Sequence, residues 1–144
     1  MRIPFASLLL LSATVFSQDA NVSFRYRKFI DQHINVRMNV NQCDAVIKSR
    51  GISITNSNEC KETNTFIQAY PDKIKNICGS AGVAYEGMMT KSTKPFSIVV
   101  CTLKRGIRHP HCQYRGQAYT RYIVIRCEQG LPVHFERDII NLEN

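Results

Sequence analysis

The sequence predicts an α+β fold with an antiparallel sheet, and three observations lead there. Helical periodicity fills the first half of the chain, β-prone runs fill the second, and six cysteines are spread from Cys43 to Cys127. The length of 144 residues suits one domain. The formal charge of +8 makes polyanions the natural partners: nucleic acid, heparan-type glycans or an anionic membrane surface. There is no Trp, no internal repeat and no long low-complexity tract.

Residues 1–17 read as a secretory signal peptide. Arg2 supplies the positive region, residues 3–16 are mostly apolar, and Val15 and Ser17 precede a cleavage site before Gln18. The run is too short, with the wrong flanks, for a membrane span. The expectation is a secreted, extracellular chain with one domain over 18–144. Asn21-Val22-Ser23 has the glycosylation acceptor pattern.

Residues 23–34 predict a helix, because Tyr26, Phe29, Ile30 and His33 recur on one face. His33 falls at the edge of that face, where a histidine is more often a satisfied core residue than a functional one. Residues 41–50 predict a second helix, with Asn41 as N-cap and Gly51 just beyond its end. The basic run Lys48-Ser49-Arg50 there suits a helix C-terminus. Residues 71–78 predict a short third helix. Residues 79–94 read as loop, 96–103 as strand and 104–111 as a basic loop. Strands follow at 112–119, 121–127 and 131–136, with a turn at Glu128-Gln129-Gly130.

Between the helices and the later strands lies Cys60-Lys61-Glu62-Thr63-Asn64-Thr65-Phe66. As a strand it would put Lys61, Thr63 and Thr65 on one face and Glu62, Asn64 and Phe66 on the other. Near the end, Val133 and Phe135 would share an apolar face, leaving His134 and Glu136 together on the opposite one. A carboxylate beside an imidazole fixes its tautomer and favours its charged form, although such pairs are also common on strand surfaces. Even cysteines after a signal peptide predict three disulfides, for which about 15 pairings exist. No zinc-type CxxC or CxxH spacing occurs. The tempting run His109, His111, Cys112 loses its thiolate if Cys112 is disulfide-bonded.

Lys28-Phe29-x-x-Gln32-His33, Cys60-Lys61-x-x-Asn64-Thr65-Phe66 and Pro132-Val133-His134-Phe135 occur in that order with the cysteines among them. Together they resemble the secreted pancreatic-type ribonuclease superfamily, over nearly the whole chain from Lys28 to about Ile139. Six cysteines, with Cys112-Gln113-Tyr114-Arg115 and Gly130-Leu131-Pro132-Val133-His134, are similar to the angiogenin-like branch and its non-mammalian relatives. The resemblance implies a V-shaped antiparallel sheet with three helices. It implies the pairing Cys43–Cys101, Cys60–Cys112 and Cys78–Cys127. It implies a monomer that cleaves RNA 3′ to pyrimidines, through a 2′,3′-cyclic phosphate, without metal or cofactor. In that scheme His33, Lys61 and His134 are catalytic, and Gln32, Thr65, Phe135, Lys28 and Asn64 bind substrate. Glu136 supports His134.

Four positions depart from the familiar pattern. Glu136 stands where relatives carry Asp, which should tune His134 less well. Arg137 stands where angiogenin has an obstructing Gln, and Val100 replaces an Asp that supports Thr65. The apolar tail at Ile139 and Ile140 would fold over the base site. A weak ribonuclease is therefore expected. A cationic host-defence protein acting on microbial membranes without catalysis is the alternative. A third reading is an angiogenic signal that binds a cell-surface receptor or glycans and enters the nucleus or nucleolus, although Lys48-Ser49-Arg50-Gly51-Ile52 matches the nuclear-entry segment only in part.

Overall fold

The computed structural model describes residues 20–52 and 57–140. The expected signal segment, the cleavage site and Leu142 lie outside the described residues. Helix α1 is described over 20–33. Val22, Phe29 and His33 are buried on one face, with Tyr26 and Ile30 half-buried beside them, as the periodicity predicts.

Helix α2 spans Cys43–Ser49, shorter than expected. Its N-cap is Gln42 rather than Asn41, because Asn39 Oδ1 already holds the Asn41 N–H at 2.9 Å in a turn. Its end is a Schellman arrangement. Gly51, at φ +69°, donates to Lys48 O and Ile52 donates to Ile47 O. The basic run does meet a helix C-terminus, but that of α1. Arg50 Nη1 donates to Asp31 O and Ile34 O, both at 2.8 Å.

Strand β1 is Thr63–Ile67. Helix α3, Pro71–Lys75, continues as a 3-10 turn over Asn76–Cys78. The segment read as loop contains a hairpin of β2, Gly82–Tyr85, and β3, Met89–Ser92. Its polar strands carry no apolar alternation, and the chain is held there by pairing of β3 with a later strand. Strand β4 is Phe96–Arg105, two residues into the expected basic loop.

The two strands expected at 112–127 are one strand, β5, Gln113–Glu128. The expected break near Thr120 is where β5 changes partners. Residues up to Arg121 pair with β4, and residues from Tyr122 pair with β6, Leu131–Ile139. One long strand thus belongs to both arms of the V-shaped antiparallel sheet, whose order is β1-β4-β5-β3-β2 with β6 also on β5. The hairpin between β5 and β6 turns on Gln129 and Gly130, both at positive φ (53° and 78°).

Two cores meet at β1. Ile67 and Ile98 pack with Phe29, Ile34, Ile74 and Ile123. Phe66 and Val99 pack with Met38, Ile47 and Tyr114. Strand β1 is therefore buried on both faces from Asn64 to Ile67, and the polar-out alternation expected of it does not occur. Disulfides join Cys43–Cys101, Cys60–Cys112 and Cys78–Cys127, the pairing the resemblance implies. A Cβ at Gly116 would lie 2.4 Å from Val40 O and 2.9 Å from Cys43 Sγ, so only glycine admits that close approach of the 40–43 segment.

Arg50 ties α2 to the end of α1 through a charged donor on two carbonyls. Arg50→Ala should lower unfolding free energy by roughly 1–3 kcal/mol. Denaturant titration would measure that loss. Faster amide exchange in residues 31–35 should accompany it, and unchanged exchange there would reject the capping role.

Candidate active site

His33 is the last helical residue of α1. The chain then joins β1 through a parallel bridge between Ile34 and Ile67, with Asn35 N–H donating to Ile67 O at 3.1 Å. This docking sets His33 Nδ1 at 2.8 Å from Thr65 O. A carbonyl only accepts, so Nδ1 carries the proton and Nε2 of the neutral ring keeps its lone pair. The ring lies between Phe29 (centroids 5.4 Å apart) and Phe135 (5.1 Å, stacked at 25°). Burial pushes its pKa down to about 4; the Thr65 bond opposes this, and the charges of Lys61 and His134 add to it. His33 is thus neutral at physiological pH.

Lys61 precedes β1 at a bend and does not share a face with Thr63 and Thr65. Its Nζ donates to Asn64 Oδ1 at 2.8 Å, and Asn64 Nδ2 donates to Gln32 O at 2.9 Å. The polar chain from Lys61 therefore ends on the residue beside His33. The backbone of Lys61 is fixed by the Cys60–Cys112 disulfide and by Tyr114, whose hydroxyl donates to Lys61 O at 2.6 Å. Burial, then the nearby Lys28, lowers the Lys61 pKa. Tyr114 was not singled out in the sequence, because its partner is 53 residues away.

His134 projects from β6 with about half of its side chain exposed. Its Nε2 lies 2.9 Å from Glu136 Oε1. The longer Glu side chain reaches the imidazole, so the concern that it would miss is not met. A carboxylate accepts, so Nε2 bears a proton and Nδ1 is the nitrogen left for other partners. His33, His134, Gln32, Lys28, Phe29, Val133, Phe135 and Arg25 line one cleft of about 240 Å³. Thr65 is buried beside it, its carbonyl on His33.

Arg137 does not sit with Phe135. Residues two apart on a strand normally share a face, but a bulge at Glu136 pairs Phe135 with Ile125 and Arg137 with the adjacent Val124. Arg137 donates to Glu86 at 2.6 Å and lies over the Tyr85 ring. Ile139 is within β6 opposite Tyr122, and Ile140 is exposed. His109 and His111 line a separate hollow with Asp44 and Lys48, and Cys112 is disulfide-bonded. Arg25, at the cleft wall, holds Glu128 with two hydrogen bonds; nothing in its local sequence announces a partner 103 residues away.

Comparison with known proteins agrees with this geometry. The sequence pattern of pancreatic ribonuclease matches residues 24–136. A Danio rerio protein, Ribonuclease-like 3, is 36% identical over 92% of this chain and 91% of its own length. Mus musculus angiogenin is 35% identical over 94% of this chain and 90% of its own. The X-ray structure of zebrafish RNase5 superposes with a TM-score of 0.79 at 46% identity, covering 81% of this chain and 96% of that one. Motif order, disulfide pairing, fold and overall similarity coincide, and the chain belongs to the pancreatic ribonuclease family.

Proposed function

We propose that this protein is a secreted endoribonuclease that cleaves RNA 3′ to pyrimidines by transphosphorylation. The observation that carries this reading is the pair of imidazoles on one cleft, each with one ring nitrogen bonded to the protein and the other left over. RNA brings its own nucleophile, the 2′-OH. His33 Nε2 takes its proton as it attacks phosphorus, and His134 Nδ1–H protonates the departing 5′-oxygen. The product is a 2′,3′-cyclic phosphate. The opposed states this requires, one ring neutral and one charged, are supported by the burial of His33 and the Glu136 carboxylate on His134. DNA lacks the attacking hydroxyl and is not cleaved.

Lys61 stabilises the extra negative charge on the pentacoordinate phosphorus. Gln32 and the Phe135 N–H hold phosphate oxygens, and Lys28 holds a flanking phosphate. Thr65 reads the pyrimidine edge, its N–H donating and its hydroxyl serving either polarity, while Phe135 packs on the base. Asn64 aims Lys61.

A second reading has its own observation. Lys104, Arg105 and Arg108 surround Ile107, which is 75% exposed. A cationic loop with an apolar tip suits an anionic microbial membrane. For the third reading, nuclear entry, Arg50 of the partly matching segment is occupied by carbonyls of α1.

Cleavage of a fluorogenic oligonucleotide with a single ribopyrimidine tests the main reading. His134→Ala should lower kcat/KM by about 10²–10⁴-fold. Equal rates in wild type and variant would overturn the assignment. Killing of microbes that survives this mutation would establish the membrane activity as separate.

The pH profile follows from the depressed His33 pKa. The base must be neutral, so lowering its pKa moves the acid limb of kcat/KM below the ordinary histidine value of about 6.5, toward 4. An acid limb at or above 6.5 would refute a buried neutral base.

Lys61→Ala should cost about 10²–10³-fold in kcat if this cation serves the transition state. Tyr114→Phe, which removes the bond to the Lys61 carbonyl, should lower kcat by a smaller factor with KM nearly unchanged. A change confined to KM would reject that positioning role.

A further inference from the structure

We propose that Arg25, Arg126 and Glu128 form a hydrogen-bond-donating subsite that selects guanine over adenine in the leaving nucleotide. This rests on the ribonuclease reading above for the placement of that nucleotide. If His134 protonates the 5′-oxygen, the departing nucleoside lies on the His134 side of the phosphate, away from Thr65.

Arg126 stands directly opposite His134 in the β5–β6 ladder, so the two side chains leave the same face of the sheet, with Cβ atoms about 5 Å apart. Arg25 reaches the same end of the cleft from α1. Between the two guanidiniums lies one carboxylate. Glu128 Oε1 and Oε2 accept from Arg25 Nη1 and Nη2 at 2.7 and 3.0 Å. Arg126 Nε approaches Glu128 Oε2 at 3.5 Å, a charge contact rather than a formed hydrogen bond. That buried Nε has no hydrogen-bond partner among the described residues.

The chemistry of the cluster is therefore one-sided. Two cations face one anion, and both oxygens of that anion are taken by Arg25. A free glutamate would accept from the N6 amino group of adenine or the N4 amino group of cytosine. A glutamate clamped on both oxygens does not. What remains is the Arg126 fork, which supplies donors only, with about 39% of its side chain exposed. Guanine offers two acceptors, O6 and N7, spaced for such a fork. Adenine offers N7 beside a donor, which opposes the guanidinium.

The test uses 2′-deoxy dinucleotides, d(UpG) and d(UpA), which bind without being cleaved. Calorimetric titration at low salt should give d(UpG) the tighter binding by roughly 5- to 10-fold, the lower range for a partly exposed bidentate contact. Arg126→Lys keeps the charge and loses the fork, so it should abolish the preference. Arg25→Lys loosens Glu128 and should move the preference toward d(UpA). Equal or reversed binding in the wild type overturns the proposal, as does a guanine preference unchanged in both variants. Cleavage of UpG and UpA is measured alongside. Absence of cleavage with the binding preference intact would strike the ribonuclease reading and leave the subsite standing.

Discussion

The hydrogen bond from His33 Nδ1 to the Thr65 carbonyl is the contact on which the cleft depends. It joins the end of a helix to the middle of a doubly buried strand, and it decides which ring nitrogen faces the cleft. Alone it could not hold a histidine in an apolar setting, since one buried hydrogen bond contributes only about 1 kcal/mol net. It persists because the backbone around it is fixed three ways. Ile34 bridges to Ile67, Asn35 donates to Ile67 O, and Arg50 closes the free carbonyls of α1. The cost of burial appears in the chemistry, as a ring kept neutral at physiological pH.

The same strand serves both cores. Phe66 faces α2 and Ile67 faces α1 and α3, so β1 has no solvent side to which polar groups can turn. Asn64 and Thr65 are buried in it and find partners across the chain. Lys61, just before the strand, is held at its backbone by a disulfide and a tyrosine and at its tip by Asn64. A flexible cation is thereby given a fixed position before any substrate arrives, the condition under which it stabilises charge most effectively.

In a chain with 19 basic and 11 acidic residues, carboxylates are scarce. Several of them are spent on orienting cationic groups. Glu136 holds His134, Glu128 holds Arg25, and Glu86 draws Arg137 to the face opposite Phe135. The last contact answers the question raised by an arginine beside the base-packing aromatic. Its direction is set by a bulge, which no residue type at 137 would reveal.

The sequence by itself determined the fold class, the three helices, the hairpin turn at Gln129-Gly130 and the residues gathered at the cleft. These follow from local periodicity, turn chemistry and short motifs, all written within a few neighbouring residues. The disulfide pairing came from family likeness, because spacing alone leaves every pairing open. Tertiary structure decided the rest. The β2–β3 hairpin forms where local signals are weak, since β5 supplies its partner. The continuity of β5, the bend that takes Lys61 off the Thr65 face and the bulge at Glu136 all depend on pairing with distant strands. Arg25, Arg50, Tyr114 and Arg126 acquire their places only when segments far apart in sequence meet, and a hydrogen bond across that separation leaves no trace in the residues beside it.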